Sequence, residues 1–503
     1  MAAAVPESAA AAARMSVRGA AVWAMAGQYL SFAIQFATSV VISRLFLTPA
    51  EVGLFSIGLA AALLVAILQD FGLSRYVAGL PRLDAEEIDR CSSVALLFSF
   101  VVAAIIAASA LPLAAFYGQP QLAPVLFIIA ANYLFLPLSV VPMALLARAM
   151  QFRGHFLINV GSAAVQGVVA VSLAAAGFSS FALAWATLAA GASRGLIAQG
   201  LKPAWPWPLR LGGVRAVIHF GARSSALYLT GALGTRSPDL VVGKLLSLGA
   251  VGLYSRAVSL ADQFRMLISG AIGSVFYPAF ARIRDRGEPL GPAYLRVCAG
   301  YTAVLWPSMA GLALASEPIV RTLYGEHWLG AAPLLQRIAL LELFVVTLPL
   351  HIDLPILVGR MSRLMVLNVI DTVLSVGLLA VGCLWGVEGA ATSRLVYGAC
   401  WILLYARFMH EVVGFDVRAL MAIYLRSAMA ALAALAPLAL TYWLWLPPER
   451  IGLGALTLAS VAGVALWLGA LMLTGHPAWR DIAGMFEDGV LPLIRRRRIA
   501  AAR

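Results

Sequence analysis

The sequence predicts an all-α integral membrane protein of about fourteen membrane-crossing helices: two six-helix parallel pseudo-repeats forming a two-lobed bundle, then two C-terminal helices. Three observations predict it: a composition far from that of a soluble domain, a succession of apolar windows each long enough to cross a bilayer, and a motif that recurs along the chain. Hydrophobic residues make up 62% of the 503 residues and charged residues 12%, against about 25% charged in a soluble domain. The formal charge of +13 is therefore read first as a guide to membrane orientation and only then as a nucleic-acid signal. Cys91, Cys298, Cys383 and Cys400 form no CxxC pair. They read as small buried apolar residues, not as a metal knuckle or a disulfide framework.

Taken in order, residues 1–18 form an alanine-rich tail expected in the cytoplasm, and the apolar run after Arg18 is too long for the core of a cleaved signal. Windows that can cross about 30 Å of hydrocarbon follow near 19–43, 53–70, 92–116, 122–147, 155–176, 179–200, 220–241, 252–279, 294–316, 331–357, 364–385, 388–409, 419–446 and 451–474. They divide into an N-lobe at 19–200 (spans 1 to 6), a linker at 201–219, a C-lobe at 220–410 (spans 7 to 12), additional spans 13 and 14 at 411–475, and a basic tail at 476–503. Pro203, Pro206 and Pro208 mark the linker, with Trp205 and Trp207 at the membrane interface.

Arginine and lysine concentrate in alternate gaps. Arg75, Arg82, Arg90, Arg148, Arg153, Arg194, Lys202, Arg210, Arg215, Arg282, Arg284, Arg286, Arg296, Arg360, Arg363, Arg407 and Arg418 fall on one side, whereas the opposite gaps hold only Arg44, Lys244, Arg321 and Arg450. The positive-inside rule then places both termini in the cytoplasm, and an even number of spans agrees. The run Arg495 to Arg498 meets anionic lipid at the inner surface rather than nucleic acid.

An internal repeat supports the two-copy arrangement. LTPAEVGLFS, with Val52, Gly53, Leu54, Phe55 and Ser56, recurs as LSLGAVGLYS, with Val251, Gly252, Leu253, Tyr254 and Ser255. Tyr117-Gly118 aligns with Tyr324-Gly325 and, after a two-residue insertion, Pro124 with Pro333, Asn159 with Asn368 and Gly177 with Gly386. Six spans per copy make the copies parallel, related by an axis along the membrane normal, with the substrate expected between the halves.

The segments SRLFLTPAEVGLFSIGLAAALLVAILQDFGLSRYVA, ALLARAMQFRGHF and DLVVGKLLSLGAVGLYSRAVSLADQF, in that order and spacing, resemble the polysaccharide transporter family of bacterial oligosaccharide flippases, within the multidrug/oligosaccharidyl-lipid/polysaccharide exporter superfamily. The resemblance covers roughly residues 16 to 410. It implies a V-shaped bundle in the bacterial inner membrane that flips polyprenyl-diphosphate-linked oligosaccharide by alternating access, for lipopolysaccharide, capsule or exopolysaccharide synthesis. The implied partners are that lipid-linked substrate, membrane lipid and other polysaccharide-assembly proteins. Spans 13 and 14 occur in only some members, so no role is carried over to them.

Charges inside the spans mark the candidate cavity, because a charge at the bilayer centre costs at least a few kcal/mol unless it faces water or a partner. In span 1, Gln28, Ser31, Gln35 and Thr38 recur at three- and four-residue steps. Span 7 continues the pattern with Tyr228, Arg236 and Asp239, where Pro238 can kink the helix. Span 8 does so with Ser255, Ser259, Asp262 and Met266. Arg256 and Arg265 lie within or beside that stripe, and a guanidinium holds a phosphate oxygen pair bidentately. Gln28, Gln35, Arg236, Arg256, Asp262 and Arg265 are therefore the expected substrate contacts. The alternative for Arg236 with Asp239, and for Asp262 with Arg265, is pairing along one helix at three-residue spacing. Arg223, at the start of span 7, reads as a snorkelling interface residue. Asp239, Glu342 and Asp353 are candidate sites for a coupling proton or Na⁺, Glu342 and Asp353 being eleven residues apart in span 10 and facing the same way, with His351 nearby and Asp371 a weaker candidate. Equally, Glu342 and Asp353 can neutralise Arg337 or Arg394.

No Walker-type GKS or GKT, HExxH, nucleophile elbow or large outer loop with paired carboxylates is present, which counts against an ATP-driven pump and a glycosyl-transferring enzyme. No cofactor or metal is expected beyond H⁺ or Na⁺. The competing readings are a cation-coupled drug exporter of the same superfamily, disfavoured by the arginines of spans 7 and 8, and a membrane-embedded polysaccharide polymerase or scaffold.

Overall fold

The computed structural model describes residues 17–67, 84–205, 209 and 233–489, and within them all regular structure is helical. The expected N-terminal tail, Arg75 and Arg82, most of the linker, the first part of span 7 with Arg223 and Tyr228, and Arg495 to Arg498 lie outside the described residues. The helices run α1 Val17–Leu45, α2 Pro49–Ala66, α3 Ala85–Tyr117, α4 Leu122–Phe135, α5 Pro137–Arg148, α6 Phe152–Ala175 and α7 Ser180–Leu201. After them come α8 at 233–245, α9 Leu248–Asp285, α10 Gly291–Leu314, α11 Ser316–Tyr324, the 3₁₀ turn Glu326–Ala331 and α12 Ala332–Val345. The chain continues with α13 Asp353–Leu357, α14 Met361–Cys383, α15 Gly386–Val413, α16 Val417–Leu444, α17 Leu453–Leu473 and α18 Pro477–Gly489. The four cysteines are free, and Cys91, Cys298 and Cys383 are buried.

Among the described residues ten helical stretches are long and apolar enough to cross a membrane, and α4 with α5, bent by 42°, makes an eleventh if it is one span. The bend follows from Pro137, which lacks a backbone N–H and clashes with the carbonyl one turn back. Of the fourteen expected windows, ten or eleven thus have clear membrane character among the described residues. α9 and α15 are long enough, but Arg256, Asp262 and Arg265 in one and Glu388, Arg394, Arg407 and Glu411 in the other depress their hydropathy.

The chain divides into two compact units, residues 1–252 and 253–503. In unit 1, α1 packs on α6, α6 on α7 and α7 on α4 and α5. Turns at one end of these helices are tied by polar contacts. The Thr48 N–H and hydroxyl both donate to Glu51, at 2.7 and 2.8 Å, which fixes the start of α2. Ser179 donates to the other Glu51 oxygen at 2.5 Å, so one carboxylate joins the α1–α2 and α6–α7 turns. At the end of α3, Tyr117 donates to Leu240 O at 3.0 Å, and Lys244 donates to Phe116 O while its ammonium lies 4.0 Å from the Phe116 ring centre. These contacts draw α8 and the first turn of α9 onto unit 1. They explain why the division falls at Gly252, beyond the expected linker.

Gly53 and Gly252 occupy a close crossing of the starts of α2 and α9. A Cβ on Gly53 would lie 1.9 Å from Leu248 O, and one on Gly252 would lie 1.8 Å from Pro49 O. Only glycine allows two backbones to approach this far.

Unit 2 is built on a core of Tyr294, Leu364, Trp401, Tyr405 and Phe408, joining α10, α14 and α15. α16 and α17 pack as a pair, with α16 against α10. A directed hydrogen-bond chain secures the last helix. The Ala478 N–H donates to His476 Nδ1 at 3.1 Å, which puts the ring proton on Nε2 and leaves it to donate to Ser427 Oγ at 2.9 Å. Ser427 then donates to Thr302 Oγ1, and Thr302 to Cys298 O, each at 2.8 Å.

Three expectations are corrected. Span 10 is not a continuous helix: α12 ends at Val345, residues 346–352 are turns with Leu350 at φ 58°, and helix resumes at Asp353. Pro349 explains the stop, and the shared face inferred for Glu342 and Asp353 goes with it. The stripe on span 1 splits, with Gln28 and Gln35 exposed, Ser31 buried and Thr38 against Gly167 of α6. Arg194, assigned to a gap, lies inside α7.

Candidate functional site

The expected site residues fall into three places. Gln28, Gln35, Arg236 and Asp239 belong to unit 1, where Gln28, Gln35 and Arg236 are exposed and Asp239 is half-buried. The helix of Arg236 runs through Pro238 without a break. Arg236 lies in electrostatic range of Asp239 and of the buried Tyr133.

Arg256 occupies the second place. It is nine residues before Arg265 on α9, which at 100° per residue puts the two side chains about 180° apart around the helix. Its guanidinium carbon lies 5.4 Å from the ring centres of both Tyr324 and Trp328. Those rings are 2% and 0% exposed. Such stacking gives a cation a partner without an anion. The signal was available in the sequence as the nine-residue spacing, which opposes a single chamber lined by both arginines.

The third place brings Asp262, Arg265 and Glu342 together. Arg265 Nη2 donates to Asp262 Oδ1 at 2.8 Å, and its Nε lies 3.2 Å from Glu342 Oε2. The second contact is an ion pair without hydrogen-bond alignment, since neither atom meets a partner in good geometry. The Arg265 and Asp262 side chains are 36% and 46% exposed, whereas that of Glu342 is 12% exposed. One guanidinium is thus bracketed by an open and a buried carboxylate. Tyr301 of α10 lies in electrostatic range of both Arg265 and the exposed Asp353.

The other basic groups near this seam have their own partners. Arg337 donates to Glu388 at 2.9 Å and to Pro333 O at 3.0 Å. Arg394 donates to Ser375 Oγ at 2.6 Å and sits 4.3 Å from the Tyr397 ring centre. Tyr397 donates to Asp371 at 2.9 Å, and Tyr405 donates to Asn368 at 2.7 Å. Of the two expected to neutralise Glu342, Arg337 pairs with Glu388 instead, while Arg394 lies in electrostatic range of Glu342 and Arg265 is in direct contact with it. A contact across two helices 77 positions apart leaves no spacing for sequence reasoning to read.

Residues 41–333 match the family described as polysaccharide biosynthesis protein. The chain belongs to this family. Its resemblance to the oligosaccharide flippases of the multidrug/oligosaccharidyl-lipid/polysaccharide superfamily is thereby shown. The chain is 25% identical to the succinoglycan biosynthesis transport protein ExoT of Rhizobium meliloti (strain 1021), over 75% of each chain. It is 29% identical to the lipopolysaccharide biosynthesis protein WzxC of Escherichia coli (strain K12) over 26% of this chain and 27% of that one. Among solved structures, the lipid II flippase MurJ in an inward closed conformation shares the fold, with a TM-score of 0.71 at 14% identity, covering 92% of this chain and all of MurJ. In this polysaccharide biosynthesis protein the acidic and basic residues of α9 and α12 meet inside a helical bundle of a kind that a known flippase also uses.

Proposed function

We propose that the protein moves a polyprenyl-diphosphate-linked oligosaccharide across the bacterial inner membrane by alternating access, for the synthesis of lipopolysaccharide, capsule or exopolysaccharide. The observation that carries this reading is the Asp262–Arg265–Glu342 triad. A half-exposed guanidinium with one open and one buried carboxylate is a cation able to change partners. A diphosphate brings about two negative charges into a poorly solvated space, and charge-assisted bonds from arginine offset their desolvation. Arg265 exchanges Asp262 for a phosphate oxygen pair and draws away from Glu342. Glu342, buried, then takes up a proton or Na⁺, which links ion entry to substrate binding. Asp239 and Asp353 are further coupling candidates, and the exposed Gln28, Gln35 and Arg236 suit sugar hydroxyls. The phosphate role passes to Arg265, because Arg256 is already stacked on two buried rings.

The fourteen-span, two-copy architecture belongs to the same reading. It is supported by repeat-equivalent glycines at positive φ, Gly177 and Gly386 at 81° and 78°, whereas Gly118 and Gly325, at 65° and 85°, part at ψ, 28° against −177°. The reciprocal approach of Gly53 and Gly252 supports it further. The distribution of arginine supports cytoplasmic termini.

Complementation of a deletion strain tests the site, with protein abundance in the membrane measured in parallel. Arg265→Ala is expected to lower surface polysaccharide by about tenfold or more, corresponding to loss of charged hydrogen bonds of about 1.5–3 kcal/mol. Arg265→Lys rescues in part, since it keeps the charge without the planar fork. Arg265→Gln combined with Glu342→Gln strands no buried charge, since the Asp262 left unpaired is 46% exposed, so it restores abundance but not polysaccharide. Normal polysaccharide from that double variant would show a purely structural pair.

A further inference from the structure

We propose that Arg194, with Asn159, binds the phosphate group of a lipid at the end of unit 1 that the arginine distribution assigns to the cytoplasm. Arg194 projects from within α7, seven residues before its end, and is half-buried. Among the described residues its guanidinium forms no ion pair. Its polar contacts are Met143 Sδ and Asn159 Oδ1, both at 3.3 Å. A guanidinium has five N–H donors, and two neutral acceptors at that distance leave it short of negative charge in a place where water is restricted.

The neighbouring groups add donors and no acid. Asn159 turns its oxygen toward Arg194, so its amide nitrogen brings two more donors to the same place. His155 lies in electrostatic range of Arg194 and brings no carboxylate, its ring N–H being spent on Met143 O at 3.0 Å. On the same ends of the helices, Arg153 is exposed and stacks over Trp23, with its guanidinium carbon 5.9 Å from the ring centre. Arg194 and Asn159 thus form the centre of a donor set lacking an anion. A tetrahedral phosphate fills it, because two of its oxygens match the arginine fork.

The apolar surroundings select a lipid over a soluble anion. Met143 of α5, in contact with Arg194, and Ile197 of α7, three residues on from it, are partly exposed apolar side chains at the site. They offer an acyl or prenyl chain a surface beside the phosphate site. The phosphate chemistry is common to a bilayer phospholipid and to a polyprenyl diphosphate carrier. This inference stands apart from the transport reading, since binding is measured without translocation.

The test uses native mass spectrometry of the full-length protein in a neutral detergent. The probes are phosphatidylglycerol, a sugar-free polyprenyl diphosphate and, as a phosphate-free control, a diacyl monoglucoside. Arg194→Gln is expected to weaken both phosphate lipids by about tenfold, the scale of one lost charge-assisted contact, without affecting the glucoside; Arg194→Lys retains most of the binding. Asn159→Asp is an isosteric second variant that gives Arg194 an internal carboxylate. It is expected to raise the melting temperature of the lipid-free protein while weakening the phosphate lipids by a similar factor. Tighter binding of the polyprenyl diphosphate would identify the carrier as ligand, and equal or tighter binding of phosphatidylglycerol would identify a bilayer lipid. Unchanged phosphate-lipid binding in Asn159→Asp, or equal loss of the glucoside in Arg194→Gln, would overturn the proposal.

Discussion

Arg265 and His476 show how differently single residues can be read. The three-residue spacing of Asp262 and Arg265 is visible in the chain, and the structure contains that pair at 2.8 Å. The buried partner, Glu342, is joined to Arg265 only through the packing of α9 and α12, so no local pattern announces it. His476 was likewise unmarked in the sequence, because its role depends on Ser427, 49 positions earlier, and on the cap it gives Ala478. It is 1% exposed, and burial together with the nearby Arg426 charge holds its pKa down to about 4. Protonation would put a hydrogen on Nδ1 and break the Ala478 contact. The folded pKa lies below the ordinary value of about 6.5. The docking of α18 is therefore fully supported above about pH 6.5 and is lost as pH falls toward 4. Hydrogen exchange across 477–489, corrected for intrinsic rates, should be slow at pH 7.5 and markedly faster at pH 4.5. Equal protection at both values would contradict this account, and His476→Ala should exchange fast throughout.

At the scale of elements, apolar windows located most helices because length and hydropathy are local properties. Breaks were harder to see. Pro349 was in view, yet a long apolar window concealed the turns at 346–352, and the α4–α5 bend was concealed in the same way. Charged α9 and α15 are held by packing that hydropathy does not measure. The VGL motif was legible as a repeat, but its use became clear only where the two helix starts cross. Gly53→Ala or Gly252→Ala forces a methyl group within 2 Å of a carbonyl oxygen, a backbone contact that cannot yield by rotamer change. Each is expected to lower the melting temperature of the purified protein by several degrees, the equivalent of about 1–3 kcal/mol. Gly200→Ala, with open space around its Cβ position, is the neutral control. A melting temperature unchanged in both crossing variants would remove the crossing from the account.

For the whole molecule, composition decided the membrane class and motif order pointed to the family, while the Asp262–Arg265–Glu342 site required three dimensions. Orientation rests on the arginine distribution and has a direct test. Gln121 and Gln151 are both exposed, so cysteines placed there report sidedness without interference from burial. The native cysteines give little background, three being buried. In intact cells an impermeant thiol reagent should label Gln121→Cys and spare Gln151→Cys, and the reverse pattern would invert the topology.

The central claim is that this chain itself moves a lipid-linked oligosaccharide. The most direct measurement reconstitutes the purified protein in liposomes with a fluorescently tagged polyprenyl-diphosphate oligosaccharide and follows quenching by a membrane-impermeant reductant. Wild-type protein is expected to expose the inner-leaflet half of the probe far faster than protein-free vesicles do, with Arg265→Gln/Glu342→Gln close to the protein-free rate. Equal rates with and without wild-type protein, under imposed proton and sodium gradients of either direction, would contradict the account.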